Sequence, residues 1–523
     1  MKKTLLIAAA AAALLACPAP LAAQQDDAQF GTVHFATSCN EVAQRRFDRA
    51  MRYQHSFWYR QSQAIFEEAL NADPSCGIAL WGAALSLLYN PHAPAPPENL
   101  PAGLAALQKA KTIGAKTARE RDFIDALLVF YTDYDKIDHR TRVQSYLKAM
   151  EAVAQRYPDD DEAQIFYAIT LNVGASPADK TYANQLKGAK ILEPIFKRQP
   201  RHPGVAHYLI HLYDYPPIAE QGLDAAKRYA GIAPAAPHAQ HMPSHIFTRV
   251  GYWKESIASN LASAKAAKTD KEWDDGMHGM DYLVYAYLQL GQDKNARAVA
   301  DEMSATQGYK RFAGYYANAA SQARYVFERG DWKGAAALQV RPSSTAYADA
   351  VTHFARAVGA ARSGQVDAAK ADIAKLAELR DKLRDAKDAY WSEIVDIQRQ
   401  VAAAWLLAAE GNHDGALKAL SAAADQEDKT EKHPVTPGPL APARELYGAM
   451  LLDRGMAKEA LAAYEAVLKK EPNRFNAYAG AAKAAEKLGD KAKATANYQK
   501  LAAMAEGSDR PDVAAAKQYL ARN

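Results

Sequence analysis

Six of the 14 histidines in this 523-residue chain fall between positions 202 and 245, where even spacing would put about one. His207 and His211 are set i, i+4 in "HYLIH", and His238, His241 and His245 crowd into "APHAQHMPSHIF", with His202 upstream of both. On a helix, His-x-x-x-His places two imidazoles on one face, one turn apart. Neutral imidazoles are ligands for borderline transition metals; four donors make a structural zinc site, and three leave a position open for chemistry. The residues therefore suggest capture of a divalent transition metal, zinc or copper first among them. A lone histidine ordinarily packs into a helix seam and hydrogen-bonds one neighbour. His34, His55, His92, His139, His353, His413 and His433 are read that way.

Other chemistries leave no trace. There is no G-x-x-x-x-G-K-[ST] phosphate loop, no G-x-S-x-G elbow, no H-E-x-x-H and no C-x-x-C, so no nucleotide cofactor is expected. The net charge is only +4, without a basic block, which speaks against nucleic acid as a partner. The first residues, "MKKTLLIAAAAAALLACPAPLAAQQDD", have two lysines, a short apolar run and small residues, the pattern of a secretory signal peptide spanning 1–23. The expectation is a periplasmic or secreted protein cleaved after Ala23. A lipid anchor on Cys17 is the alternative, disfavoured by Leu15. No later stretch is apolar for long enough to span a membrane. Cys39 and Cys76 then remain as an even pair in an oxidising compartment, where a disulfide is expected.

The elements that must position the histidines are helices. Apolar periodicity is helical throughout and alanine dominates, so no strand is expected. Gly455, Ala460 and Tyr464 recur 34 residues later as Gly489, Ala494 and Tyr498. Each glycine ends one amphipathic helix, the small alanine lets the next helix approach, and the tyrosine fills the groove between them. The Gly-then-small signature also occurs at Gly251/Ser256, Gly291/Ala296, Gly330/Ala335, Gly364/Ala369 and Gly411/Ala416. Proline-rich breakers interrupt the pattern at 90–103, 213–222 and 432–443.

This pattern, with Pro472 closing a repeat, resembles the tetratricopeptide repeat. The resemblance implies an all-α, right-handed superhelix of helix-turn-helix repeats, irregular over 24–424, with a charged and proline-rich linker or loop at 425–440 and C-terminal repeats with a capping helix at 441–523. In the family's register, His238, His241 and His245 take the same three positions of one first helix that His278, Asp281 and Tyr285 take in the next. His207 and His211 lie on the first helix before. The resemblance implies that this face lines a concave groove, which would take a peptide or protein partner or a small ligand. The tyrosine-rich strings holding Tyr208 and Tyr213 are read as inter-helix packing, as aromatics are in this repeat family. Tyr208, Tyr213, Asp214, Tyr285 and Arg324 could also rim the groove, while Asp274 and Asp275 serve a helix start. The expected metal ligands are His207, His211, His238, His241, His245, His278 and Asp281. Two functions follow: a binding scaffold carrying a metal patch, or a metal-dependent hydrolase or oxidoreductase with Asp281 or Glu445 as general base.

Overall fold

A computed structural model describes residues 29–341, 343 and 345–522. The expected signal peptide and Cys17 lie outside these residues. Among the described residues there is no strand, and no helix is long and apolar enough to cross a membrane. Helices alternate as antiparallel hairpins along the chain, the arrangement of tetratricopeptide-type repeats. The buried apolar residues form four clusters that follow one another along the sequence, as expected where each repeat packs mainly on its neighbours.

The C-terminal repeats show how the sequence pattern acts. Gly455 and Gly489 turn the chain with φ of 75° and 72°, a conformation that side chains with a Cβ resist. Ala460 and Ala494 are fully buried, and the Tyr464 ring lies against Gly448 and Gly480 with no room for a Cβ at Gly480. Near the start of the described chain, Cys39 and Cys76 form a disulfide.

Four elements carry the histidine cluster. Helix α1 (Pro203–Tyr213) starts at a proline whose missing N–H costs nothing there; His202 caps it by accepting from the Val205 N–H at 3.3 Å. It stops before Pro216 and Pro217, which cannot continue a helix. Helices α2 (Pro237–His241) and α3 (Pro243–Arg249) are joined through Met242, which keeps helical dihedrals, so Pro243 divides one expected helix into two. Helix α4 (Trp273–Gln289) ends at Gly291, with φ of 64°.

The array is not a simple row. The C-terminal repeats fold back onto its middle. Arg474 is fully buried and donates to both Glu445 oxygens at 2.8 Å, to Glu328 at 2.7 Å and to the Tyr285 hydroxyl at 2.7 Å. The Phe475 N–H donates to Gln289, Trp253 donates to the Asn473 carbonyl, and Arg510 pairs with Asp293. The proline-rich segment at 432–440 does not hang free between these parts. Val435, Thr436, Pro437, Gly438 and Leu440 are buried, and Arg324 donates to Thr436 Oγ1 and to the carbonyls of Gly438 and Pro439.

Candidate metal centre

The imidazoles meet in two groups of three. In the first, His207 and His211 of α1 join His238 of α2; His207 Nε2 lies 3.1 Å from both His211 Nε2 and His238 Nε2. In the second, His241 of α2 and His245 of α3 have Nε2 atoms 3.0 Å apart, and His278 of α4 completes the trio. Ligand atoms within each trio lie within 4.8 Å of one another. Two nitrogens bound to one tetrahedral ion at about 2.0–2.1 Å stand roughly 3.3 Å apart, close to the spacing seen here.

Proton positions make the second trio informative. His245 Nδ1 lies 2.9 Å from Asp214 Oδ2, a carboxylate oxygen that only accepts, so Nδ1 carries the proton. His241 Nδ1 lies 2.6 Å from Asn260 Oδ1, and the Asn260 amide nitrogen donates to the Ser256 carbonyl, which fixes the amide's orientation. His241 Nδ1 is therefore protonated too. In the neutral rings both Nε2 atoms carry lone pairs, and those lone pairs face each other at 3.0 Å. Burial opposes the remedy of a second proton: it holds His241 well below the ordinary imidazole range and lowers His245 despite the Asp214 charge. In the first trio the His55 carbonyl accepts from His207 Nδ1 at 2.7 Å, so His207 Nε2 is likewise a lone pair, and burial brings His207 down to about 3. In the first trio an Nε2–H of His211 or His238 can donate to that lone pair; in the second trio only a shared cation or an added proton would relieve the facing lone pairs.

A third group offers the contrast. Glu162 accepts from His55 Nε2 at 3.1 Å and from His202 Nε2 at 2.9 Å, while Tyr208 donates to His55 Nδ1 and the Val205 N–H to His202 Nδ1. Against the cost of burial, the two imidazoles hold Glu162 below the usual carboxylate range. Every proton here has an acceptor and every lone pair a donor. This group needs no ion, and it holds the His55 carbonyl against His207.

Asp214 organises the second trio. Besides His245 it accepts from Arg249 Nε on Oδ1 at 2.8 Å and from Lys432 Nζ on Oδ2 at 2.8 Å. Burial draws Lys432 down to about 8 even beside this carboxylate. Aromatic rings pack the rest: Phe57 against His207, His211 and His238, Tyr229 stacked on His207, and Tyr282 against all three rings of the second trio. Tyr282 in turn donates to the Thr436 carbonyl at 3.1 Å, tying the trio to the proline-rich segment.

The structure thus brings together His207, His211, His238, His241, His245 and His278, and corrects three expectations. Asp281 belongs to neither trio; its Oδ1 accepts from Arg324 Nε at 3.0 Å, both residues being fully buried. Glu445 lies in the Arg474 cluster and is likewise tied up as an ion pair rather than free as a base. The histidines do not line an open concave face: five of the six are buried and His238 is partly so. Asp274, in the first turn of α4, accepts from the Lys310 and Arg311 N–H groups just ahead of the helix Phe312–Phe327. His92 and His433, read as isolated residues, flank the cluster; the His92 ring lies 4.3 Å from that of His211. Sequence reasoning missed Asn260, Lys432 and the His55 carbonyl as partners of the site. Only Asp214, close after "HYLIH", had a signal near the motif.

A tetratricopeptide-type array of helical hairpins, enclosing two groups of three imidazoles, is the class of protein these features define. No protein-family model and no curated protein matches the chain. Among solved structures it is similar to yeast Tom70, at 12% identity with a TM-score of 0.30 over 92% of this chain and 89% of that chain. It is also similar to human IFIT1, at 10% identity with a TM-score of 0.34 over 95% of this chain and 98% of that chain. Likeness of this degree concerns helical repetition and says nothing of the histidines.

Proposed function

We propose that this is an exported metal-binding protein in which each imidazole trio holds one transition-metal ion, zinc or copper. The observation that supports it is the pair of lone pairs facing each other between His241 and His245, fixed by Asp214 and Asn260. Depressed imidazole basicity adds to this, because a ligand that is already neutral has no proton to lose before binding. The outer hydrogen bonds follow the pattern by which carboxylates and carbonyls orient metal-bound histidines.

A second reading, metal-dependent catalysis, rests on the donor count. Three protein ligands leave a coordination position open, where an ion supplies Lewis acidity or an activated water. With Asp281 and Glu445 paired to arginines, two carboxyl groups remain at the cavity beside the trios: Asp274, held by the Lys310 and Arg311 N–H groups, and Asp275, which burial raises to about 6. A peptide or protein partner would dock on another face of the array, since the histidines are covered.

Metal analysis of protein purified without a polyhistidine tag tests the proposal. Stoichiometric zinc or copper is expected, lost from the second trio in His241→Ala or His245→Ala and retained in His413→Ala, which lies outside the cluster. Metal-free protein that also fails to take up either ion on addition would overturn it.

A further inference from the structure

The two trios share an element of the fold. His238 and His241 are three residues apart on one short helix, yet each serves a different trio, so that helix is a common wall. The rings of the two groups approach to 6.1 Å between His211 and His245 and 6.2 Å between His238 and His241. Ions held about 2 Å beyond their nitrogens belong to the same neighbourhood. Both groups also open on one cavity of about 70 Å³, with His211 and His238 contributed by the first trio and His245 and His278 by the second.

The cavity's other walls limit what it can hold. Phe57 and Phe312 are apolar, and its charged groups are Asp274, Asp275 and Arg311, with Arg311 Nε 3.5 Å from Asp274 Oδ2. The volume accommodates a few water molecules, not a peptide or a sugar. Two trios that each contribute two imidazoles to the lining of one small space are suited to sharing a small ligand between ions held there.

We propose that the six histidines form one dinuclear centre whose two ions share a small bridging anion, such as hydroxide, in the cavity between His211, His238, His245 and His278. This rests on the metal-binding reading above. It predicts coupling between the ions, which two independent sites lack.

The test uses the full chain, stripped of metal and loaded with copper(II). Total copper per chain is measured, copper(I) is excluded with a cuprous-specific chelator, and unpaired spins are counted by electron paramagnetic resonance with and without azide as a bridging probe. The expected result is two coppers per chain with a spin count far below two, azide altering the spectrum of both ions at one equivalent. His278→Ala should retain one copper and show close to one full spin, which makes loss of coupling visible without relying on wild-type silence alone. Two coppers with two full, unperturbed spins would overturn the dinuclear centre while leaving metal binding intact. Binding of fewer than one copper would overturn the metal reading itself.

Discussion

The Asp214 carboxylate lies 2.9 Å from His245 Nδ1 and 2.8 Å from Lys432 Nζ, so one side chain fixes an imidazole and anchors a segment more than two hundred residues away. A neutral amide in its place keeps an acceptor for His245 but leaves Arg249 and Lys432 without their counter-charge. Asp214→Asn should weaken metal affinity about 10–100-fold, the usual cost of losing an outer-sphere carboxylate. Competition against a chromogenic chelator reads this directly; an unchanged affinity would show that Asp214 does not orient a ligand.

Glu427 gives the fold a pH dependence of known sign. Its side chain accepts from the Ala443 N–H at the entry to the C-terminal repeats, with Lys470, Glu471 and Asp428 as the charges around it. Burial raises its carboxyl from 4.5 to about 7. Between those values the folded chain keeps a proton that the unfolded chain has lost. The contribution is therefore present at low pH and is lost as pH rises through about 7, roughly 3 kcal/mol at most. Urea unfolding at pH 5 and pH 8 should show a smaller difference for Glu427→Gln than for the wild type. Equal differences would remove Glu427 from the account.

The Arg474 cluster predicts how the C-terminal repeats are attached. Glu445→Ala leaves a fully buried guanidinium with only Glu328 and the more distant Glu471 as carboxylate partners, which should cost about 3–5 kcal/mol. Deletion from Ala441 onward should expose the buried middle of the array and yield an unstable or aggregating chain, contrary to what a simple row of repeats would tolerate. Circular dichroism melts decide the matter: a deletion that melts like the full chain would mean the closure carries no stability.

The Cys39–Cys76 bond closes a loop across 37 positions. On the loop-entropy account its reduction should lower stability by roughly 4 kcal/mol. Non-reduced protein should show no alkylatable thiol at either position, and Cys39→Ser/Cys76→Ser should melt lower. Two free thiols in protein recovered from an oxidising compartment would contradict the pairing.

How far the site could be read in advance depended on the range of the interactions. The 34-residue recurrence of Gly455, Ala460 and Tyr464 acts within one hairpin, so turn, close approach and groove-filling were all legible. Histidine spacing on single helices was legible for the same reason. That His238 would part from His241 and join α1 was not, because it depends on how α1, α2 and α4 pack. The pairing of Asp281 with Arg324, rather than with an imidazole, turns on a segment at 436–439 that no local pattern ties to that region. Glu445 was named from its residue type alone, and the buried Arg474 that occupies it lies in the next repeat.

Lys432 reaches Asp214 from 218 positions downstream, and Tyr282 bonds to the Thr436 carbonyl across 154. The pocket is thus closed by chain that leaves the ribosome long after the histidines do. A nascent polypeptide holds all six imidazoles once His278 is made and lacks the piece that seals them until residues 432–436 follow. On the metal-binding reading, ion selection therefore belongs to the finished molecule and to the metals of the compartment where it folds, not to those met during translation.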